Sequence, residues 1–397
     1  MRIATLALFF ALVNCTRIQN PSEPLPASPP APQKFDIPSR SYWPTAGWRT
    51  SKPEEEGLKP EAIAKLNQYL FTRTGDDLDR NGVRTDGALI IRGGKIVYER
   101  YARGYDENRP HLIWSSAKSF ISALIGIAVK EGKLSLSDSA SKYFAEMKDG
   151  QKSEIKVEHI LQMSSGLAWN EGYEASPLDS SVIAMLYTAG RTDMARYTAS
   201  YPLRYRPGTR WYYSSGDTNM LSAILRKTMS EEEYQNYPWA KLFEPLGMKN
   251  MTFERDGSGT FVGSSYIYGS PRELAKFGFL YLNDGVWDGK RILPEGWVTL
   301  SRTMAPAFYA HPEREDAWDG NYGAQWWQNG DAPGLKAPWP DAPMDTYVAS
   351  GHWGQRIYVI PSLDIVAVRV GDDRRHPPEG GFSDNEFLKW IAQAAKK

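Results

Sequence analysis

Trp114-Ser115-Ser116-Ala117-Lys118-Ser119-Phe120-Ile121-Ser122-Ala123-Leu124-Ile125-Gly126-Ile127-Ala128-Val129-Lys130 is the stretch on which the reading of this chain turns. It is apolar nearly all round, so the helix it predicts over 115–130 is buried inside a protein body. Gly132 supplies its C-terminal stop. Two polar residues at its head stand out. Ser115 and Lys118 are three apart and share one helix face. A serine hydroxyl is a poor nucleophile until a base takes its proton. A lysine in apolar surroundings loses solvation, which favours its neutral form and makes it a usable base. The same spacing recurs at Ser139–Lys142 and Ser153–Lys156, but in charged text where lysine keeps its water and its proton. Taken alone, Ser115 reads as a helix N-cap serine.

Outward from this helix, residues 87–101 form two β-rich runs around Gly93-Gly94, a hairpin signal. Residues 356–370 form a second hairpin, turning at Pro361-Ser362-Leu363-Asp364. Strands near both ends with helical text between them predict an α+β fold. One antiparallel sheet, built from residues 41–130 and 265–397, is flanked by helices, and residues 131–264 are a mostly helical insertion. Helices predicted over 60–74 and 387–396 cover the sheet, with Pro60 suited to the first helical position. Further helices are predicted from Lys156 to Leu161, from Leu221 to Met229 and from Pro271 to Leu282.

The 397 residues hold 47 Lys plus Arg and 47 Asp plus Glu, a net charge of zero that argues against a nucleic-acid partner. Residues 1–14 carry a short positive start and about ten apolar residues, the pattern of a secretory signal rather than a membrane span. Cys15, the single cysteine, follows directly and resembles the lipid-accepting residue of a bacterial lipobox. Residues 15–40 are proline-rich and predict an extended tether. Together these place the folded body in the cell envelope or periplasm, with Cys15 as a candidate lipid anchor to the membrane. The five histidines show no metal-ligand spacing, and no nucleotide-binding loop is present, so neither metal nor cofactor is expected. There is no Gly-x-Ser-x-Gly elbow.

Two other segments carry polar residues that could meet Ser115. In 207–219, a Pro-Gly turn leads through Tyr213 to Ser215-Gly216, and the phenol could serve as a proton shuttle; alone, Tyr213 reads as a core aromatic. Ser350-Gly351-His352-Trp353-Gly354-Gln355 precedes the last hairpin, where glycines allow close backbone approach to a ligand or mark a bulge at the strand entry.

Ser-x-x-Lys, then Tyr-x-Ser about 95 residues on, then His-x-Gly before a C-terminal strand resembles the serine β-lactamase and penicillin-binding-protein superfamily. More closely, the chain resembles the class C-like branch that contains esterases and 6-aminohexanoate-dimer hydrolase. Trp114, the 161–167 segment and Tyr322-Gly323-Ala324-Gln325-Trp326-Trp327 add to the likeness. The resemblance implies a β-lactamase-like sheet, Ser115 as the acylated nucleophile, and Lys118 with Tyr213 as its base pair. It implies an oxyanion hole from the backbone N–H groups of Ser115 and Gln355, with His352 and Gly354 in the third motif. His352 stands where β-lactamases carry the lysine that receives the substrate carboxylate, and Ser215 where class C enzymes carry Asn. Tyr173 falls near a loop that contacts substrate in amide hydrolases of this branch, and Trp326-Trp327 with Trp353 suggest an aromatic acyl pocket, although Trp pairs are more often core. The implied substrate is a small ester or amide. The alternatives are a β-lactamase or D,D-peptidase, and an inactive envelope binding protein of the same fold.

Overall fold

A computed structural model describes residues 18–32, 34–71, 82–173, 179–311, 321–331, 334–374 and 381–396. The expected signal segment and Cys15 lie outside these residues. The strands are β1 (Thr85–Arg92), β2 (Lys95–Tyr101), β3 (His111–Leu112), β4 (Thr252–Phe253), β5 (Ile267–Gly269), β6 (Val286–Trp287), β7 (Lys290–Arg291), β8 (Asn321–Tyr322), β9 (Trp327–Gln328), β10 (Tyr347–Gly351), β11 (Gln355–Ile360) and β12 (Ile365–Gly371). Seven of them make the main sheet in the order β2-β1-β12-β11-β10-β9-β8, with every neighbour antiparallel. The N-terminal hairpin therefore lies against the C-terminal one, through β1 and β12. Gly93 and Gly94 both adopt positive φ at the tight β1–β2 turn. Asp364 does the same after Pro361, closing the β11–β12 turn.

Alternation along the strands sorts side chains to two covered faces. Leu89, Ile91, Ile357, Val359, Val366 and Val368 join the core around the Ala117–Lys130 helix. Ala88, Ile90, Tyr358 and Ala367 join a second core beneath the Pro60–Phe71 and Asp384–Ala395 helices. Among the described residues, the chain between β3 and β4 contributes helices and turns and no strand to the main sheet.

Several predicted boundaries move, each for a local reason. The Ser115 turn is a tight helical turn over Trp114–Ser116, and the α-helix begins at Ala117. No side-chain cap is made at Ser116, so the serine pair does not serve as a cap. The helix predicted from Leu221 spans Ser215–Lys227, because the Ser214 hydroxyl accepts the Asp217 N–H and starts it a turn and a half earlier. Gly216 fits there because a Cβ would stand 2.5 Å from Thr198. The last helix begins at Asp384 rather than Phe387, capped by Ser383.

The described part of the proline-rich segment rests on the body. Gln19 N–H donates to Arg204 O at 2.8 Å, Arg206 Nη1 donates to Glu23 O at 2.7 Å, and Glu23 pairs with Arg210. Arg40 grips Asp364 with both amino groups and donates Nε to Asn283 Oδ1 at 2.8 Å.

Candidate active site

The buried helix is held so that its head faces the end of the sheet. Ser119 and Ser122 donate to the carbonyls of Gln325 and Ala324, at 2.7 and 3.1 Å. The Ser116 hydroxyl lies 3.0 Å from Ala349 O and 3.3 Å from Gln355 O. Ile113 O approaches Gly351 so closely that any Cβ there would collide with it. These contacts lock the turn carrying Ser115 against the β10–β11 connection.

Lys118 is 1% exposed and its Nζ donates to three oxygens. These are Ser115 Oγ at 3.0 Å, Ser215 Oγ at 2.9 Å and Ser264 O at 2.9 Å. Burial lowers its pKa below the ordinary lysine range, and the nearby Glu171 carboxylate opposes that shift. Tyr213 sits under Lys118, the Nζ lying 5.0 Å from its ring centroid, with its phenol beside Ser115. Burial, reinforced by Glu171, pushes that phenol well above its ordinary value. The ring is clamped by Trp327 at 5.4 Å and Tyr322 at 5.7 Å. Of the two proposed bases, Lys118 is therefore the one poised to lose its proton nearer neutral pH.

Ser115, Lys118, Tyr213 and Ser215 thus come together. Tyr173 arrives too, beside Ser215 and stacked on His352 at 5.0 Å. Trp114 meets His352 at 5.9 Å and Trp353 at 5.2 Å, both edge-to-face. Trp114 and Trp353 both hold positive φ, of 48° and 59°. A bulky residue held there costs on the order of 1–3 kcal/mol and persists only where the surroundings enforce it. The two strained tryptophans flank the serine turn and the third motif, giving the site an aromatic wall. Gly354, with φ 88°, completes the turn, and Gln355 opens β11.

Sequence reasoning missed Glu171. Its carboxylate, 2% exposed, accepts from Trp169 Nε1 at 2.6 Å, Ser215 N at 2.9 Å and Ser215 Oγ at 2.5 Å. Nothing in the local text marks it, because Ser215 and Lys118, which tie it to the site, lie on other segments. A chain of hydrogen bonds now runs Glu171–Ser215–Lys118–Ser115. A Ser383-Asp384-Asn385 triplet, which spells a β-lactamase motif in the wrong chain order, lies elsewhere, where Asp384 holds Arg356 and Tyr358.

A sheet of this order with a Ser-x-x-Lys pair at the head of a buried helix defines a β-lactamase-like serine hydrolase. The chain belongs to the Beta-lactamase family, whose sequence model matches residues 69–386. It is 25% identical over 331 residues to the 6-aminohexanoate-dimer hydrolase of Paenarthrobacter ureafaciens, covering 80% of this chain and 81% of that one. A provisionally named D-alanyl-D-alanine carboxypeptidase of Salmonella agona is 21% identical, with 87% and 91% covered. Among solved structures, the octameric penicillin-binding protein homologue of Pyrococcus abyssi shares the fold at a TM-score of 0.60 and 19% identity, over 83% of this chain and 76% of that one.

Proposed function

We propose that the protein hydrolyses small esters or amides through an acyl-enzyme on Ser115. The observation that carries this reading is the buried Lys118 Nζ 3.0 Å from Ser115 Oγ. In the proposed cycle Ser115 Oγ attacks the substrate carbonyl while Lys118, assisted by Tyr213, takes its proton. The oxyanion of the tetrahedral intermediate is held by the N–H groups of Ser115 and Gln355, where loss of one donor typically costs ~3 kcal/mol. Tyr213 delivers the proton to the departing alcohol or amine. Water then attacks the acyl group by the same route and frees Ser115.

The aromatic wall of Trp114, Tyr173 and Trp353, and a histidine at the third motif, favour an uncharged acyl group over the carboxylate of a β-lactam. The location proposed is the cell envelope, with Cys15 as the acylated N-terminus. A panel of p-nitrophenyl esters, short amides, a D-alanyl-D-alanine peptide and a chromogenic cephalosporin tests the substrate assignment. Turnover of esters or short amides at least tenfold above the other two supports it. A preference for the cephalosporin or the peptide overturns it in favour of a β-lactamase or a D,D-peptidase.

A further inference from the structure

Arg369 interrupts an otherwise apolar strand, β12, and has no exposed surface. Taking a guanidinium out of water is costly unless its donors are matched, and an apolar side chain would suit a central strand better. Its donors are spent on the neighbourhood of the third motif. Nη1 donates to Gly354 O at 2.9 Å, Nη2 to Arg84 O at 2.8 Å and Nε to Thr85 Oγ1 at 3.1 Å. The counter-charge is Asp373, paired with Arg369 and accepting the Arg84 N–H at 2.8 Å. Asp373 also donates its own N–H to Trp353 O at 3.1 Å. The Gln355 side chain adds a second brace, exchanging hydrogen bonds with the Gly371 backbone at 2.6 and 3.1 Å.

The carbonyl of Gly354 and the N–H of Gln355 belong to one planar trans peptide and point to opposite sides. A cation bonded to that carbonyl fixes the plane. It also draws electron density toward the oxygen, so the N–H at the other end becomes a stronger donor, as linked hydrogen bonds polarise one another. The room for this contact exists because residue 354 is glycine; a Cβ there would collide with the Arg369 guanidinium.

We propose that Arg369 is a positioning residue that orients and polarises the Gly354–Gln355 peptide as an oxyanion donor. This rests on the reading that Ser115 forms the acyl-enzyme.

The test compares matched oxoester and thionoester substrates in wild type, Arg369→Met and Arg369→Lys. Sulfur accepts hydrogen bonds weakly, so the ratio of kcat/KM for the two esters reports donor strength at the oxyanion. Arg369→Met is expected to lose about tenfold or more in kcat on the oxoester, with KM within about twofold and little loss on the thionoester, so the ratio falls. Arg369→Lys, which keeps one cationic donor, is expected to give an intermediate ratio and carries the test alone if the methionine variant does not fold. Equal losses on both esters, leaving the ratio at its wild-type value in the folded variants, would overturn the proposal. Ser115→Ala separates the two claims. Wild-type hydrolysis by that variant removes the acyl-enzyme reading itself, whereas an inactive Ser115→Ala with an unchanged arginine ratio removes only the role of Arg369.

Discussion

Lys118 and Glu171 lie on one hydrogen-bonded chain, and each sets the charge state of the other. Every polar partner of Glu171 donates to it, which suits the carboxylate rather than the acid. Burial works the other way, raising its pKa, and Lys118 restrains that rise. The carboxylate in turn favours the ammonium form of Lys118, against the burial that lowers its pKa. In Glu171→Gln the negative charge is gone and the Lys118 pKa falls further. If neutral Lys118 is the base, the rate rises as pH climbs through its pKa. The acid limb of the kcat/KM profile should therefore move to lower pH in Glu171→Gln. A limb that stays in place, or moves upward, would remove the proposed coupling. The amide also places an N–H against one of three converging donors, so a stability loss of about 1–3 kcal/mol is expected in urea unfolding.

Elements came through from the sequence wherever one chemistry ran unbroken. The apolar run after Ser115, the glycine pair at 93–94 and the Pro361–Asp364 turn each specify local structure without help from elsewhere. Boundaries moved where a cap decided them, as at Ser214 and Ser383. The paired two-residue strands β8 and β9 were invisible because two residues display no alternation. Arg369 left a visible trace as a charge in an apolar strand, but its partners lie on other segments. The same packing predicts a cost at Gly126. A Cβ there would stand 2.6 Å from the Trp297 ring, and elsewhere the helix is pinned by its own Phe120, stacked on Phe277 at 3.7 Å. Gly126→Leu should lose about 1–3 kcal/mol or more from overpacking. A urea midpoint equal to wild type would show that this helix has slack the geometry denies.

At the scale of the whole molecule, pairing β1 with β12 brings early and late strands of the chain into one sheet and packs the Ala117–Lys130 and Pro271–Leu282 helices against its face. That arrangement delivers Ser115 and Lys118, Tyr213 and Ser215, and the His352–Gln355 turn to one place from segments about 95 and 140 residues apart. The motif order anticipated the meeting of these groups. It could not anticipate Glu171, whose role depends on a hydrogen bond from Ser215 rather than on any spacing. The proline-rich segment is likewise legible only as extended text; its seat on Arg204, Arg206 and Arg210 depends on the folded surface. The central claim is that Ser115 is the acylated nucleophile. A serine-directed phosphonate reporter with peptide mapping by mass spectrometry tests it most directly. The account predicts one covalent adduct on Ser115 in the wild type, none in Ser115→Ala, and strongly slowed labelling in Lys118→Ala and Tyr213→Phe. An adduct on another residue, or full labelling of Ser115→Ala, would contradict it.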